Sequence, residues 1–175
     1  KRLQKMTRQV SHNGVKSAWY LQLDIRNYFM SIDKGILLSL LAPKIKDKTA
    51  LWLTQLLVNH DCTQDFLLKG NPNLLKSIAP HKTLFNAPDG KGLPIGNLNS
   101  QFFANVYLNV LDQFVKHQLK CCHYVRYCDD FILLASSPCQ LQQWQIQIEQ
   151  FLDEKLALGL NSKQTLLPIN NGINF

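Results

Sequence analysis

Apolar residues recur along this chain with two different periods. Ser17 to Ile25 is an apolar, aromatic run that carries Asp24 near its end and reads as a first core strand. Two more such runs, His123 to Tyr127 and Phe131 to Ala135, flank the polar break Cys128-Asp129-Asp130 in the pattern of a hairpin with a tight connection. Helical spacing dominates elsewhere. Asp33 can cap a helix from Lys34 to Leu41, broken at Pro43, and Asp47 a second from Lys48 to Asn59 with Leu51, Leu53, Leu56, Leu57 and Val58. The turn-rich loop Pro88 to Gly96 feeds a long helix starting near Asn99 or Ser100, in which Phe102, Phe103, Val106, Tyr107, Val110, Leu111, Phe114 and Val115 form one broad face. Ser136-Ser137-Pro138 opens another, through Leu156 or Leu158 and ending near Gly159, on the stripe Leu141, Trp144, Ile148, Phe151 and Leu152. A strand around Thr165 to Leu167 and the beginning of another at Gly172 to Phe175 close the chain, while residues 60–90 read as an irregular connector. This order predicts an α+β fold, a split-βαβ, ferredoxin-like antiparallel sheet with helices packed on one face.

The strand ends carry the acids. Adjacent carboxylates at the tip of a hairpin, Asp129 and Asp130, repel one another, and a fold keeps them together chiefly where a cation neutralises them. An isolated Asp-Asp pair is also ordinary turn chemistry. Asp24 tips the balance, because it closes a similar apolar strand far upstream. Three aspartates at the ends of neighbouring strands can hold two Mg²⁺ ions about 3.5–4 Å apart, the arrangement that clamps attacking and leaving oxygens in phosphoryl transfer.

In chain order, Asp24 with Phe29, the segment Gly92-Leu93-Pro94-Ile95-Gly96-Asn97-Leu98-Asn99-Ser100-Gln101, and Tyr127-Cys128-Asp129-Asp130 resemble the three palm motifs of reverse transcriptases. The resemblance runs from about Trp19 to the end of the chain. It is greatest to prokaryotic enzymes, above all those of diversity-generating retroelements, whose aliphatic-Gly-x-x-x-Ser-Gln segment replaces the more usual Gln-Gly-x-x-x-Ser-Pro. The resemblance implies a polymerase palm at 17–175 preceded by a basic end of the fingers at 1–16. It also implies a fragment lacking most of fingers and thumb, since the chain opens at Lys1 without Met and stops at Phe175 where family members continue. The implied activity is that of an error-prone RNA-directed DNA polymerase, adding dNTPs to a DNA or RNA primer 3′-hydroxyl on an RNA template, with room for an accessory protein. Retron, group II intron-like and phage-defence reverse transcriptases are the nearest alternatives. A non-catalytic RNA-binding module shares the topology, but the chain has no RNP-like segment. An RNA-templated RNA polymerase has a related palm, against which Phe29 argues.

Individual roles follow from the same resemblance. Asp24, Asp129 and Asp130 are the implied catalytic residues and metal ligands, with the Ile25 carbonyl as a helper and two Mg²⁺ ions, replaceable by Mn²⁺, as the cofactor. Phe29, five places after Asp24, lies beneath the incoming sugar and leaves no room for a 2′-hydroxyl. Ile95, Gly96 and Gln101 complete the nucleotide site with Lys163, which resembles a basic residue able to protonate pyrophosphate. Gly96 lets a backbone approach closely, and the nearby helix N-terminus suits a phosphate. Ile95 stands where a hydrogen-bonding Gln is usual and offers only shape, which weakens discrimination between right and wrong pairs. Tyr127 and Cys128 are the implied template or primer contacts. Arg26 and Lys91 can contact phosphate or remain solvated.

Charge and cysteine content agree with that picture. A net charge of +7, from 19 Lys and Arg against 12 Asp and Glu, suits a polyanionic partner. Lys1, Arg2, Lys5, Arg8 and Lys16 precede the first acid, as in a phosphate-contacting arm or a solvated tail. Five cysteines, an odd number with no signal peptide and no long apolar run, favour a reducing cytoplasm and no membrane. Cys121-Cys122-His123 lacks a second ligand pair for zinc.

Overall fold

The computed structural model describes the backbone of residues 1–175 and every side chain except those of Pro72 and Lys76. In chain order the helices and strands are α1 (Arg2–Val10), β1 (Trp19–Asp24), α2 (Tyr28–Ser31), α3 (Lys34–Leu41), α4 (Lys48–Asn59), α5 (Leu98–Gln113), β2 (Tyr124–Tyr127), β3 (Asp130–Ala135), α6 (Pro138–Leu156) and β4 (Thr165–Pro168). They fall into two units, one of residues 1–26 and 108–175 and the other of residues 27–107. No helix among the described residues is long and apolar enough to cross a membrane.

The first unit is built on an antiparallel sheet of order β2-β3-β1-β4. Because side chains alternate along a strand, Tyr20, Gln22 and Asp24 share one face with their partners Leu134, Ile132 and Asp130. Leu21, Leu23, Phe131 and Leu133 occupy the other face and are fully buried. Burying each such side chain stabilises the sheet by about 1.5–3 kcal/mol. Across β1 and β3 lies α6, with Leu141, Ile148, Leu152 and Leu156 inward. On the first face Tyr20, Ile132 and Leu134 form a second cluster, covered by Leu3, Met6 and Val10 of α1 together with Ile169 and Ile173. The basic N-terminal segment is therefore a docked helix, its apolar stripe inward and Lys1, Arg2, Lys5 and Arg8 exposed. Helices thus cover the sheet on the α6 face, and α1 adds one to the opposite face.

Of two elements expected toward the end of the chain, one is present and one is not. Helix α6 ends at Leu156, the first of the two expected last residues, with Ala157 in the left-handed region at φ 49° so that Leu158 can turn into the core. Residues 172–175 form no strand; a 3₁₀ turn at Ile169–Asn171 and Gly172 at φ 78° redirect the chain, and Ile173 packs against the Tyr20 cluster instead.

In the second unit the expected caps are present. The Asp33 carboxylate accepts from the Ile36 amide at 2.9 Å, and Asp47 from Ala50 at 2.7 Å. The connector holds only 3₁₀ turns, at Pro72–Ser77, Pro80–Lys82 and Leu84–Asn86. Beyond it the chain pairs briefly with the segment before α3: Gly90 accepts from the Lys34 amide at 2.9 Å and Gly92 donates to the Ile32 carbonyl at 2.8 Å. Only glycine suits position 92, at φ 91° with a Leu84 methyl 2.7 Å from where a Cβ would stand.

Candidate active site

Pairing of β1 with β3 sets Asp24 directly opposite Asp130. The hairpin closes at Tyr127 and Asp130, so Asp130 belongs to β3 and only Cys128 and Asp129 form the connection. Cys128 takes φ 54°, a left-handed conformation that lets so short a turn close. Three carboxylates thus gather at one end of the sheet, half-buried. Their electrostatics are unfavourable. Burial raises the pKa of Asp129 above its ordinary value, and the charges of Asp24 and Asp130 add to the effect. Asp130 is raised by burial and by Asp24, opposed by a hydrogen bond from Gln22. Asp129 and Asp130 resist ionisation first because burial disfavours the charged form and then because their neighbours are negative.

Asn161 and Gln22 were not among the residues singled out from the sequence. Asn161 holds Asp24 twice, donating its amide to the Asp24 carbonyl at 2.8 Å and its Nδ2 to the carboxylate at 3.0 Å. Gln22 could have been found by strand alternation, since it stands two residues before Asp24 on the same face; Asn161 is a tertiary partner with no local signal. Gln22, Asp24, Asp130, Asn161, Lys163 and Thr165 line an open cleft of about 510 Å³. Lys163 is exposed there, its amide bonded to the Asn161 side chain at 3.4 Å.

Among the remaining expected residues of this unit, Ile25 is buried opposite Leu160, and the bonds of that bridge are made by Asp24 and Arg26 on either side, so the Ile25 carbonyl is not used by it. Arg26 is exposed, with its guanidinium beside Gly159. Tyr127 is 76% exposed at the turn, next to exposed Cys128. Phe29, Lys91, Ile95, Gly96 and Gln101 belong to the second unit. Phe29 is half-buried, edge-on to Tyr28 at 5.5 Å, and its carbonyl accepts from Leu93 at 2.8 Å. Lys91 is half-buried in a bridge with Asp33. Ile95 is 67% exposed, Gly96 has φ 102° with open space around it, and Gln101 is exposed in the first turn of α5.

No group of three or more His, Cys, Asp or Glu side chains among the described residues stands in a ready metal-ligating arrangement. The chemistry of the donors nonetheless fits one class of ion: mutually repelling carboxylates, two of which, Asp24 and Asp130, open to the cleft, would suit a hard divalent cation that keeps part of its water shell. Asp24, Asp129 and Asp130 would be the residues to hold it.

Residues 2–167 match the family model described as reverse transcriptase (RNA-dependent DNA polymerase). The chain belongs to that family. The group II intron-encoded protein LtrA of Lactococcus lactis subsp. cremoris is 25% identical over 211 residues, which cover 85% of this chain and 32% of LtrA, so the chain spans about a third of that relative. The LtrA of strain MG1363 matches equally. Among solved structures, telomerase from Candida tropicalis in complex with a fragment of telomeric RNA superposes with a TM-score of 0.59 at 13% identity, over 99% of this chain and 30% of that one. Telomerase from Candida albicans, also in complex with a telomeric RNA fragment, gives 0.58 at 11% identity over 95% and 30%. These likenesses show a reverse transcriptase fold, and the antiparallel sheet with its helices is the α+β palm expected from the resemblance of the motifs.

Proposed function

We propose that this chain is the catalytic palm of an RNA-directed DNA polymerase, adding deoxynucleotides to a primer 3′-hydroxyl on an RNA template. The observation that carries the reading is the register of β1 on β3, which opposes two carboxylates and adds a third at the adjacent turn, within a chain matched to the reverse transcriptase family over residues 2–167. Two Mg²⁺ ions, or Mn²⁺ in their place, would be held by Asp24 and Asp129 with Asp130 and the Ile25 carbonyl beside them; when bound they lower the pKa of the primer hydroxyl and offset charge on departing pyrophosphate.

Everything else is positioning by the chain. Asn161 orients the Asp24 carboxylate, and Gln22 does the same for Asp130. Lys163 offers an ammonium in the same cleft, placed to neutralise or protonate a phosphate oxygen. Phe29 excludes a ribose 2′-hydroxyl. Gly96 and the first turn of α5, with Gln101, receive the nucleotide or template, while Tyr127, Cys128, Arg26 and Lys91 contact template or primer. Exposed Lys1 at the N-cap and Arg2, Lys5 and Arg8 on α1 add a cationic surface for the nucleic acid.

Ile95 and Gln101 support a diversity-generating enzyme of low fidelity. A second reading, an intron-type reverse transcriptase, is favoured by the likeness to the intron-encoded LtrA. The decisive experiment measures DNA synthesis on a primed RNA template by the full-length protein and its Asp129→Ala variant, with Mg²⁺ or Mn²⁺. Synthesis that Asp129→Ala lowers at least a thousandfold is the expected result. Equal activity in both, or none in a folded parent that binds RNA, would refute the reading. Misincorporation opposite template adenine then separates the two subgroups.

A further inference from the structure

We propose that Asp112 and Arg126 act as positioning residues for the metal site, a bracket that fixes the peptide plane from which Asp129 projects; the inference rests on the reading of the aspartates as metal ligands. Asp112 lies one residue before the end of α5 and Arg126 in the middle of β2. The guanidinium meets the carboxylate as a fork, Nε to Oδ1 at 2.9 Å and Nη2 to Oδ2 at 2.7 Å. Tyr124 donates its hydroxyl to the same Oδ1 at 2.7 Å. The side chains are only 10% and 15% exposed, so water competes little with these bonds.

The third arm of Arg126 points elsewhere. Its Nη1 donates to the Cys128 carbonyl at 2.8 Å. That oxygen belongs to the peptide linking Cys128 to Asp129, and a peptide is rigid, so holding the oxygen fixes the direction of the Asp129 N–H and Cα. That N–H lies in the same plane, pointing away from the held oxygen. A chain of contacts therefore runs from Asp112 through Arg126 to the Cys128–Asp129 peptide, from which the carboxylate that would meet the metal projects. The held residue needs holding: Cys128 sits at φ 54°, where a side chain costs roughly 1–2 kcal/mol, and a free turn would relax away. Lysine cannot replace the bracket, because it has the charge but not a planar fork with a spare N–H.

The test uses the full-length protein, its Arg126→Lys and Asp112→Asn variants, and Asp129→Ala as reference. Mn²⁺ binding is read by electron paramagnetic resonance, folding by circular dichroism and thermal unfolding, and synthesis as kcat, primer–template KM and the metal concentration for half-maximal rate. Removing the partner of a metal ligand weakens metal binding by about 10–100-fold. Both variants are expected to stay folded, bind Mn²⁺ about tenfold or more weakly, need correspondingly more metal for half-maximal rate, and keep primer–template KM within about twofold. Mn²⁺ affinity within twofold of the parent in either folded variant overturns the inference. So does loss of fold in both, which would make the pair structural. A parent whose Mn²⁺ binding is untouched by Asp129→Ala instead refutes the metal-site reading beneath it, and that outcome is recognisable without any activity measurement.

Discussion

Replacing Asp130 by asparagine should make the metal-free protein more stable and, at the same time, less able to gain stability from a divalent cation. Asp130 and Asp24 face each other in register across β1 and β3. Two unit charges about 5.5 Å apart interact by roughly 3 kcal/mol at an effective dielectric constant near 20. Both groups are half-exposed, and solvent screening brings this down to the order of 0.2–1 kcal/mol, the size of an ordinary cross-strand pair. Asparagine keeps the size and a polar partner for Gln22 while removing the charge. The pH dependence has a definite sign. Burial and Asp24 raise the folded pKa of Asp130 above its ordinary 3.8, so the folded state holds that proton more tightly than the unfolded state does. Native stability therefore falls as pH rises from 3.8 through the raised value, and the penalty is complete at neutral pH. The gain from Asp130→Asn is thus full at pH 7 and vanishes near and below 3.8. At about 2–4 °C per kcal/mol for a chain of this size, the midpoint of thermal unfolding in EDTA at pH 7 should rise by about 0.4–4 °C. Adding Mg²⁺ at ten times its dissociation constant should stabilise the parent by about 1.4 kcal/mol and the variant by less, so that their order reverses. A variant no more stable than the parent in EDTA, or an equal rise in both with Mg²⁺, would falsify the electrostatic account.

Gly92→Ala should lower the urea midpoint more than Gly96→Ala does: both positions have positive φ, at about 1–2 kcal/mol each, but only at 92 does the new Cβ meet Leu84 and Ala87, at 2.7 and 3.3 Å. Equal shifts would show that the Leu84 contact relaxes freely. Ile95→Gln should lower misincorporation opposite template adenine by restoring a hydrogen-bonding group, and an unchanged error spectrum removes Ile95 from fidelity control. Phe29→Val should raise ribonucleotide relative to deoxynucleotide incorporation by about tenfold or more, measured as a ratio of kcat/KM values; an unchanged ratio would mean that Phe29 only packs beside Tyr28.

The legible parts of this fold are those whose physics is short in sequence. Asp33 and Asp47 reach amides three residues ahead, so both caps can be read from a single turn of chain. The run around Leu133 is apolar throughout and that around Leu21 is broken only by Gln22, which marks both as core strands whatever they pair with. Helix α1 was illegible for the opposite reason. Its basic residues oppose the helix dipole in the first turn, its N-cap makes no side-chain bond, and only Leu3, Met6 and Val10 form a stripe. Its helicity is a tertiary effect of the cluster at Tyr20, Ile132 and Leu134. The short run 172–175 erred the other way, since four residues of β-favouring composition name no partner, and Ile173 found an apolar cluster in place of a strand edge.

The site divides along the same line. A charge inside an apolar period is visible in sequence as an anomaly, and Asp24, Asp112, Arg126 and Asp130 are all of that kind. What sequence does not carry is which anomaly answers which: Asn161 reaches Asp24 across 137 positions, and Arg126 meets Asp112 across 14. The outcomes are opposite. Arg126 and Asp112 neutralise each other, and burial, which by itself would raise the Asp112 pKa, is outweighed by the bonds from Arg126 and Tyr124 that hold it below the ordinary carboxylate range. Asp24, Asp129 and Asp130 lie within reach of one another's negative charge, which the bonds from Asn161 and Gln22 and the charge of Arg126 offset only in part. Their register is imposed by Leu21, Leu23, Phe131 and Leu133 directly behind them, whose burial at about 1.5–3 kcal/mol each exceeds a carboxylate repulsion of about 1 kcal/mol several times over. An apolar sheet that holds like charges at one end against their repulsion would be pre-organised for the proposed cation, because little of the cation's binding energy would be spent on bringing its ligands together.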